Sequence, residues 1–394
     1  MQQLLSQRIA DSPSSFIREI LKLSSQPEII SFAGGLPDPD MFPHKQLAEA
    51  SAKIFQHQHA SILQYNHTEG DIKLREWIVN RYHDKHGLNI SAEDILITTG
   101  SQQALDLLGK CLIDAGDDIL IEQPSYLGAI QAFSIYQPNF LTVKLNKNGV
   151  DTGDLAQHLS SHQPKLFYCV PEFQNPSGIS HSSENRQQVA TLLSKRDTLL
   201  IEDNPYGDLH FNEISPPSYY QMIPEQTVLL GSFSKTLAPS LRLGWVVAPK
   251  WLMKKLIIAK QSTDLHSSNL LQAMVYQYLI NNNFDQHVAK TSRHYQHQMM
   301  IMRKAIETHF PKSVVMTYPN GGMFLWCSMP DGNCSMQLFE QAIQHGVAFV
   351  PGTSFTINGQ HSPSFRLNFT NSREEAIWEG ISRLGKLMKK QGIK

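Results

Sequence analysis

Gly231-Ser232-Phe233-Ser234-Lys235-Thr236-Leu237-Ala238-Pro239-Ser240-Leu241-Arg242-Leu243-Gly244-Trp245 is the stretch on which the reading of this chain turns. It continues an apolar run, Thr227 to Gly231, that has the length and composition of a buried strand. A lysine set between hydroxyl residues directly after such a strand is unusual, because lysines mostly lie in water. A partly desolvated amine has a lowered pKa and acts as both nucleophile and base. Ser232, Ser234 and Arg242 add two hydroxyls and a forked donor that suit a dianionic phosphate.

On either side the chain alternates strand-like and helix-like stretches. Asp94–Thr99, Asp118–Glu122, Leu166–Val170, Leu199–Asp203 and Leu243–Ala248 read as strands. Leu74–Tyr82 and Ala104–Ile113 carry apolar residues at helical spacing. Strands separated by helical patterns predict an α/β fold with a mostly parallel sheet between helices. In such sheets ligands lie at the carboxyl ends of the strands. Gly100-Ser101, Asp203 and Ser232 to Lys235 all follow strand ends. After about residue 285 the pattern becomes a long helix (His294–Phe310), then strands near 321–326, 347–352 and 365–369, which predicts a smaller α+β domain. The expected organisation is an arm over 1–45 joining the small domain, a large domain over 46–285 and a small domain over 286–394. Within the arm, Ser14–Leu21 has helical spacing, and Gly34-Gly35-Leu36-Pro37 reads as a loop.

Gly100, Ser101 and Gln102 open a helix straight after a strand, where free N–H groups and the helix dipole favour an anion; a simple capping serine is the commoner role. Asp203 ends an apolar strand, where an acid is costly unless paired. Either a cationic partner such as a pyridinium nitrogen or the cap of the next turn satisfies it. Asn175 and Tyr206 are suited to hydrogen-bonding a phenolic oxygen, although Asn-Pro and Ser-Gly are also ordinary turn signals.

Asn175-Pro176-Ser177-Gly178, Asp203-x-x-Tyr206, Ser232-x-Ser234-Lys235 and Arg242-x-Gly244, in this order, resemble the class I/II aminotransferases of fold type I, which use pyridoxal 5'-phosphate (PLP). The resemblance covers nearly the whole chain. It implies that Lys235 carries PLP, that Asp203 pairs with the ring nitrogen, and that Asn175 and Tyr206 hold the ring hydroxyl. Tyr126 would stack on the ring; Gly100, Ser101, Gln102, Ser232, Ser234 and Arg242 would form the phosphate site; Arg366 would clamp the substrate α-carboxylate. Tyr65 is similar to the tyrosine that reaches the neighbouring subunit's phosphate, which implies a homodimer with shared active sites. The Ser14–Glu19 and Ser31–Pro37 segments resemble the branch of 2-aminoadipate and kynurenine aminotransferases. There the arginine matching Arg18 meets the substrate side chain, and Gly34 and Gly35 line the substrate. The implied activity is transfer of the amino group of a 2-aminoadipate-like, aromatic or branched-chain amino acid to a 2-oxo acid such as 2-oxoglutarate, by ping-pong kinetics. A PLP-dependent lyase or decarboxylase uses the same ring contacts, and a transcription regulator with a PLP-sensing effector domain uses the same fold.

Bulk composition is compatible with this. Across 394 residues, 34 Lys and Arg nearly cancel 35 Asp and Glu, so no net field draws the chain to nucleic acid or a membrane surface. The four cysteines form no C-x-x-C pair, and 17 histidines include no H-E-x-x-H; neither a disulfide framework nor a metal site is expected. No secretory leader or spanning run is evident, so a cytoplasmic location is expected.

Overall fold

The apolar runs become strands buried on both faces, as parallel strands under two helical layers must be. The computed structural model describes residues 4–10, 26, 28–57, 59–211 and 216–393. The expected helix over 14–21, and Arg18 with it, lies outside the described residues.

The large sheet is built from β1 (Ile95–Thr98), β2 (Asp118–Gln123), β3 (Asn139–Asn146), β4 (Gly149–Val150), β5 (Leu166–Cys169), β6 (Leu199–Asp203), β7 (Thr227–Ser232) and β8 (Gly244–Val247). Their spatial order is β1-β8-β7-β6-β5-β2-β3-β4. β3, β2, β5, β6 and β7 run parallel, whereas β8 is antiparallel to both its neighbours. Its reversal puts the start of β8, at Gly244, beside the ends of β1 and β7: Thr98 and Ser232 both register with Gly244. β3 has no continuous apolar run, because it lies towards the sheet's edge and buries only part of its residues, and β4 is two residues long. They are strands that periodicity alone does not announce.

Helices α1 (His44–His57), α2 (Ile72–His86), α3 (Ser101–Leu112), α4 (Leu127–Ser134), α5 (Thr152–Ser161), α6 (Ser183–Leu193), α7 (Lys250–Asp264) and α8 (Asn269–Asn281) accompany the sheet. α3 buries Ala104, Leu105, Leu107 and Leu108, the stripe expected from its spacing. α9 spans Phe284–His309 and so begins earlier than its polar sequence indicates. Its Phe284 and Val288 pack with Leu241, Leu243 and Trp245, whereas Met302, Ala305 and Ile306 join the core that holds Phe365 and Leu367. The change of pattern near residue 285 therefore falls inside one continuous helix rather than at a linker.

A second, antiparallel sheet has the order β9-β10-β12-β11, from β9 (Val315–Met316), β10 (Phe324–Ser328), β11 (Val350–Pro351) and β12 (Ser364–Asn368). α10 (Ser335–Gln344) packs on β11, and α11 (Glu374–Lys390) packs on α9, α10 and the Val347–Ala348 strand. Ile30–Ser31 pairs in parallel with Val347–Ala348, tying the segment before the Gly-Gly loop to this part of the chain.

Leu200 sits in the middle of β6, fully buried against Leu120, Phe167 and Val189. Leu200→Ala is expected to destabilise the fold by roughly 2–5 kcal/mol, the cost of lost burial plus a cavity. Urea denaturation followed by circular dichroism measures it, and a change below about 0.5 kcal/mol would contradict this packing.

Candidate active site

Side chains alternate along β6, so its two terminal acids face opposite ways. Glu202 turns to one face, where its carboxylate accepts from Ser218 Oγ (2.6 Å) and Tyr220 N (3.1 Å). Asp203 turns to the other and is 2% exposed. The Tyr168 hydroxyl donates to its Oδ2 at 2.7 Å. Its Oδ1 is buried without a hydrogen-bond partner among the described residues. Burial pushes the Asp203 carboxyl up to about 7, against the opposing pull of the Tyr168 hydrogen bond. A buried acid with one oxygen unmet is costly unless a cationic donor reaches it.

Lys235 follows β7 and donates from Nζ to the Gly35 carbonyl at 2.8 Å. Burial, then the positive charges of Arg366 and Arg242, lower its amine to about 8. Arg366 sits on β12 with NH1 donating to Asn175 Oδ1 (2.7 Å) and NH2 to the Ala33 carbonyl (2.6 Å). Its guanidinium carbon lies 4.3 Å from the centroid of the Phe324 ring and 5.1 Å from that of Phe355, and its Nε has no partner among the described residues. Burial lowers Arg366 to about 10, which leaves it cationic at neutral pH. Asn175 Nδ2 donates to the Tyr206 hydroxyl at 3.4 Å.

These groups meet in one cavity of about 200 Å³ at the carboxyl edge of the large sheet. Gly35, Ser101, Tyr126, Asn175, Asp203, Tyr206, Ser232, Ser234, Lys235 and Arg366 all line it, with Ala33, Val170 and Pro205. Burial holds the Tyr126 hydroxyl up to about 12, so it is neutral at physiological pH.

The remaining expected residues lie outside that lining. Arg242 adopts a left-handed conformation (φ 49°) and leans its guanidinium over Gly100, so closely that a Cβ there would stand 2.6 Å from NH2. Gly100 itself has φ +78°, and a side chain would be strained as well as crowded. Gln102 has its amide committed: Nε2 donates to the Gly128 carbonyl at 2.8 Å and Oε1 accepts from Tyr126 at 3.4 Å. Gly34 is buried between two lining residues, Ala33 and Gly35. Tyr65 is 77% exposed and stands edge-on to His266, away from this cavity.

Sequence reasoning misses Tyr168. It reads as one more apolar residue of a buried strand, but its register opposite Ile201 puts its hydroxyl within reach of the Asp203 side chain two residues on. A buried tyrosine needs a partner for its hydroxyl, and this is the only signal the sequence offers. Also unannounced is the fully buried set of Glu122, Cys169 and His181, whose ligand-type atoms lie within 4.8 Å of one another. His181 Nε2 meets Glu122 Oε1 and its Nδ1 meets the Tyr219 hydroxyl, both at 2.9 Å. Glu122 Oε2 accepts from Val170 N and Gln174 Nε2, so the set forms a hydrogen-bonded support beside β5.

The arrangement supplies an amine that is partly neutral near physiological pH, a fixed cation for a carboxylate and a buried acid awaiting a positive donor. The family model for aminotransferase class I and II matches residues 27–384. The chain is 40% identical over 380 residues to the 2-aminoadipate transaminase of Thermus thermophilus, covering 95% of this chain and 94% of that protein. It is 37% identical over 396 residues to aromatic-amino-acid aminotransferase 1 of Thermococcus litoralis, covering 99% and 95%. The crystal structure of LysN, the alpha-aminoadipate aminotransferase of Thermus thermophilus complexed with N-(5'-phosphopyridoxyl)-L-leucine, superposes with a TM-score of 0.92 at 38% identity over 98% of each chain.

The raised Asp203 pKa has a stability consequence in ligand-free protein. The folded state holds this proton up to about pH 7, whereas the free carboxyl releases it near 3.8. The contribution is fully present below pH 3.8 and is lost as pH rises through 7, a decline on the order of 2–4 kcal/mol. Asp203→Asn is expected to remove that decline, measured as the difference between the two proteins' urea midpoints at acidic and neutral pH. Identical pH profiles would mean that Asp203 is solvated.

Proposed function

The chain belongs to the class I and II aminotransferases, and we propose that it moves the amino group of 2-aminoadipate, aromatic or branched-chain amino acids to a 2-oxo acid such as 2-oxoglutarate, using PLP held on Lys235. The observation that carries this reading is the single cavity in which Lys235, Arg366 and the unmatched Asp203 Oδ1 meet. PLP fits those residues. Its ring nitrogen, protonated, is the cationic donor that Asp203 Oδ1 lacks. Its aldehyde suits a lysine with a depressed pKa, and its phosphate suits Ser101, Ser232, Ser234 and Arg242.

When bound, PLP supplies an aldehyde that condenses with amines and a cationic ring that withdraws electrons from the substrate α-carbon. The chain's own residues do the rest. Arg366, braced by Asn175 and Ala33, orients the substrate α-carboxylate through charge-assisted hydrogen bonds. Lys235 Nζ, with its amine partly neutral near pH 8, takes the proton from the α-carbon and returns it, as a base whose pKa lies near the operating pH does best. Asp203 stays ionised against a cation, held by Tyr168. Tyr206 and Asn175 would hold the ring oxygen, and Tyr126 would cover the ring face.

The substrate range follows from both ends of the site. By its resemblance, Arg18 would recognise acidic side chains, and the Gly34-Gly35-Leu36 loop would tolerate aromatic or branched ones. The exposed Tyr65 reaches the phosphate site of a second copy, so the working unit is a cytoplasmic homodimer. Among the described residues no helix is long and apolar enough to cross a membrane. A lyase or decarboxylase is not favoured, since the relatives at 37–40% identity are aminotransferases.

Lys235→Ala is expected to abolish the visible absorbance of lysine-bound PLP and to lower transamination by at least about 10²- to 10⁴-fold. Retention of both by the variant would refute the assignment. Arg18→Ala should lower kcat/KM for 2-aminoadipate by about tenfold and leave leucine nearly unchanged; equal losses would remove Arg18 from side-chain recognition.

A further inference from the structure

Outside the cavity, α7 buries a lysine completely. The Lys260 side chain is 0% exposed, and its ammonium donates to Gln103 Oε1 (2.7 Å), Ser267 Oγ (3.0 Å) and both oxygens of Asp264 (2.6 and 2.8 Å). All three of its donors are thereby satisfied. The acceptors lead to one place. Gln103 Oε1 also accepts from Thr99 N at 2.8 Å. Asp264 Oδ2 accepts from Gln103 Nε2 at 2.7 Å and from Thr99 Oγ1 at 3.2 Å. The Thr99 carbonyl accepts from Arg242 NH2 at 3.4 Å. Thr99 is thus gripped at its amide, its hydroxyl and its carbonyl, immediately before Gly100 and the first residue of α3, Ser101, which lines the cavity.

The chain takes on strain to build this cluster. Leu265 has φ 64° and ψ −62°, and His266 N donates to the Asp264 carbonyl at 2.8 Å. That is a γ-turn of the rare, strained hand, and it folds Asp264 and Ser267 back onto the same ammonium. Buried ion pairs seldom improve on apolar packing for stability alone, which points to a role in geometry.

We propose that Lys260 is a positioning residue that, through Gln103 and Asp264, fixes the Thr99–Ser101 backbone in the orientation that grips the cofactor phosphate. This rests on the PLP reading above. It confines the effect of Lys260 to the phosphate end of the cofactor, away from Lys235 and Asp203.

The test removes PLP from the holoenzyme and titrates back either PLP or pyridoxal, which lacks the phosphate, following absorbance. Wild type is compared with Lys260→Met and with Gln103→Met, which keeps the Lys260–Asp264 pair but removes the hydrogen bond that Gln103 Oε1 accepts from Thr99 N. Both variants are expected to bind PLP about tenfold or more weakly and pyridoxal within about twofold of wild type. Unchanged PLP affinity, or equal losses for PLP and pyridoxal, overturns the proposal. If Lys260→Met does not fold, Gln103→Met decides by the same criterion. A wild type that takes up PLP while the variants lose no selectivity sinks only the positioning role; a wild type that takes up no PLP sinks the aminotransferase reading and this proposal together.

Discussion

The reversal of β8 is the constraint on which the site depends. A strand running against its neighbours presents its beginning where they present their ends, so Arg242 arrives at the edge that already holds Ser101, Ser232 and Lys235. The approach is tight. A Cβ on Gly244 would stand 2.8 Å from Ser101 N and 2.9 Å from the Gly231 carbonyl oxygen, so only glycine lets three strands and the start of α3 converge there. Were β8 parallel, Arg242 would open at the opposite edge, away from Ser101, Ser232 and Lys235.

That edge is also an electrostatic device. Two basic groups, Lys235 and Arg366, share a cavity with one buried carboxylate, Asp203, and the charge of Arg242 also reaches Lys235. Crowding and burial keep Lys235 easier to deprotonate than a surface lysine, and the same burial makes Asp203 easier to protonate. Each shift follows first from burial, because desolvation penalises whichever form is charged. Tyr168 resists the shift at Asp203 by donating to one oxygen while leaving the other open towards the cavity. The two groups are thus perturbed in opposite senses at one cavity.

Around these groups the supports are long in sequence and short in space. Ala33 and Gly35 close the site with backbone carbonyls, which hold Arg366 and Lys235 across separations of 333 and 200 residues. α9 spans the change from the large sheet's core to the small sheet's core as one helix, so the segment carrying Arg366 is joined to the large sheet by a rigid element as well as by loops. The Lys260 cluster continues the same principle behind α3. Side chains that never touch the cavity set the backbone that does.

Much of this was legible in residues close together along the chain. The Leu199–Asp203 and Thr227–Ser232 strands show themselves as apolar runs, α3 by its stripe, Lys235 and Asp203 by polar chemistry at the end of a buried strand, and Asn175 and the serines by the motifs they share with a known family. What each of those residues is bonded to was not legible. Tyr168 looks like core until β5 and β6 lie side by side in register. Lys260 looks like one more surface charge on an amphipathic helix until α7 docks against α3, and the carbonyls of Ala33 and Gly35 have no signature at all. Periodicity and local motif are properties of neighbouring residues, so the sequence determined the elements and the reactive groups. Strand order, register and burial arise only when distant segments pack, so the tertiary structure alone decided which partners hold those groups and how far their pKa values move.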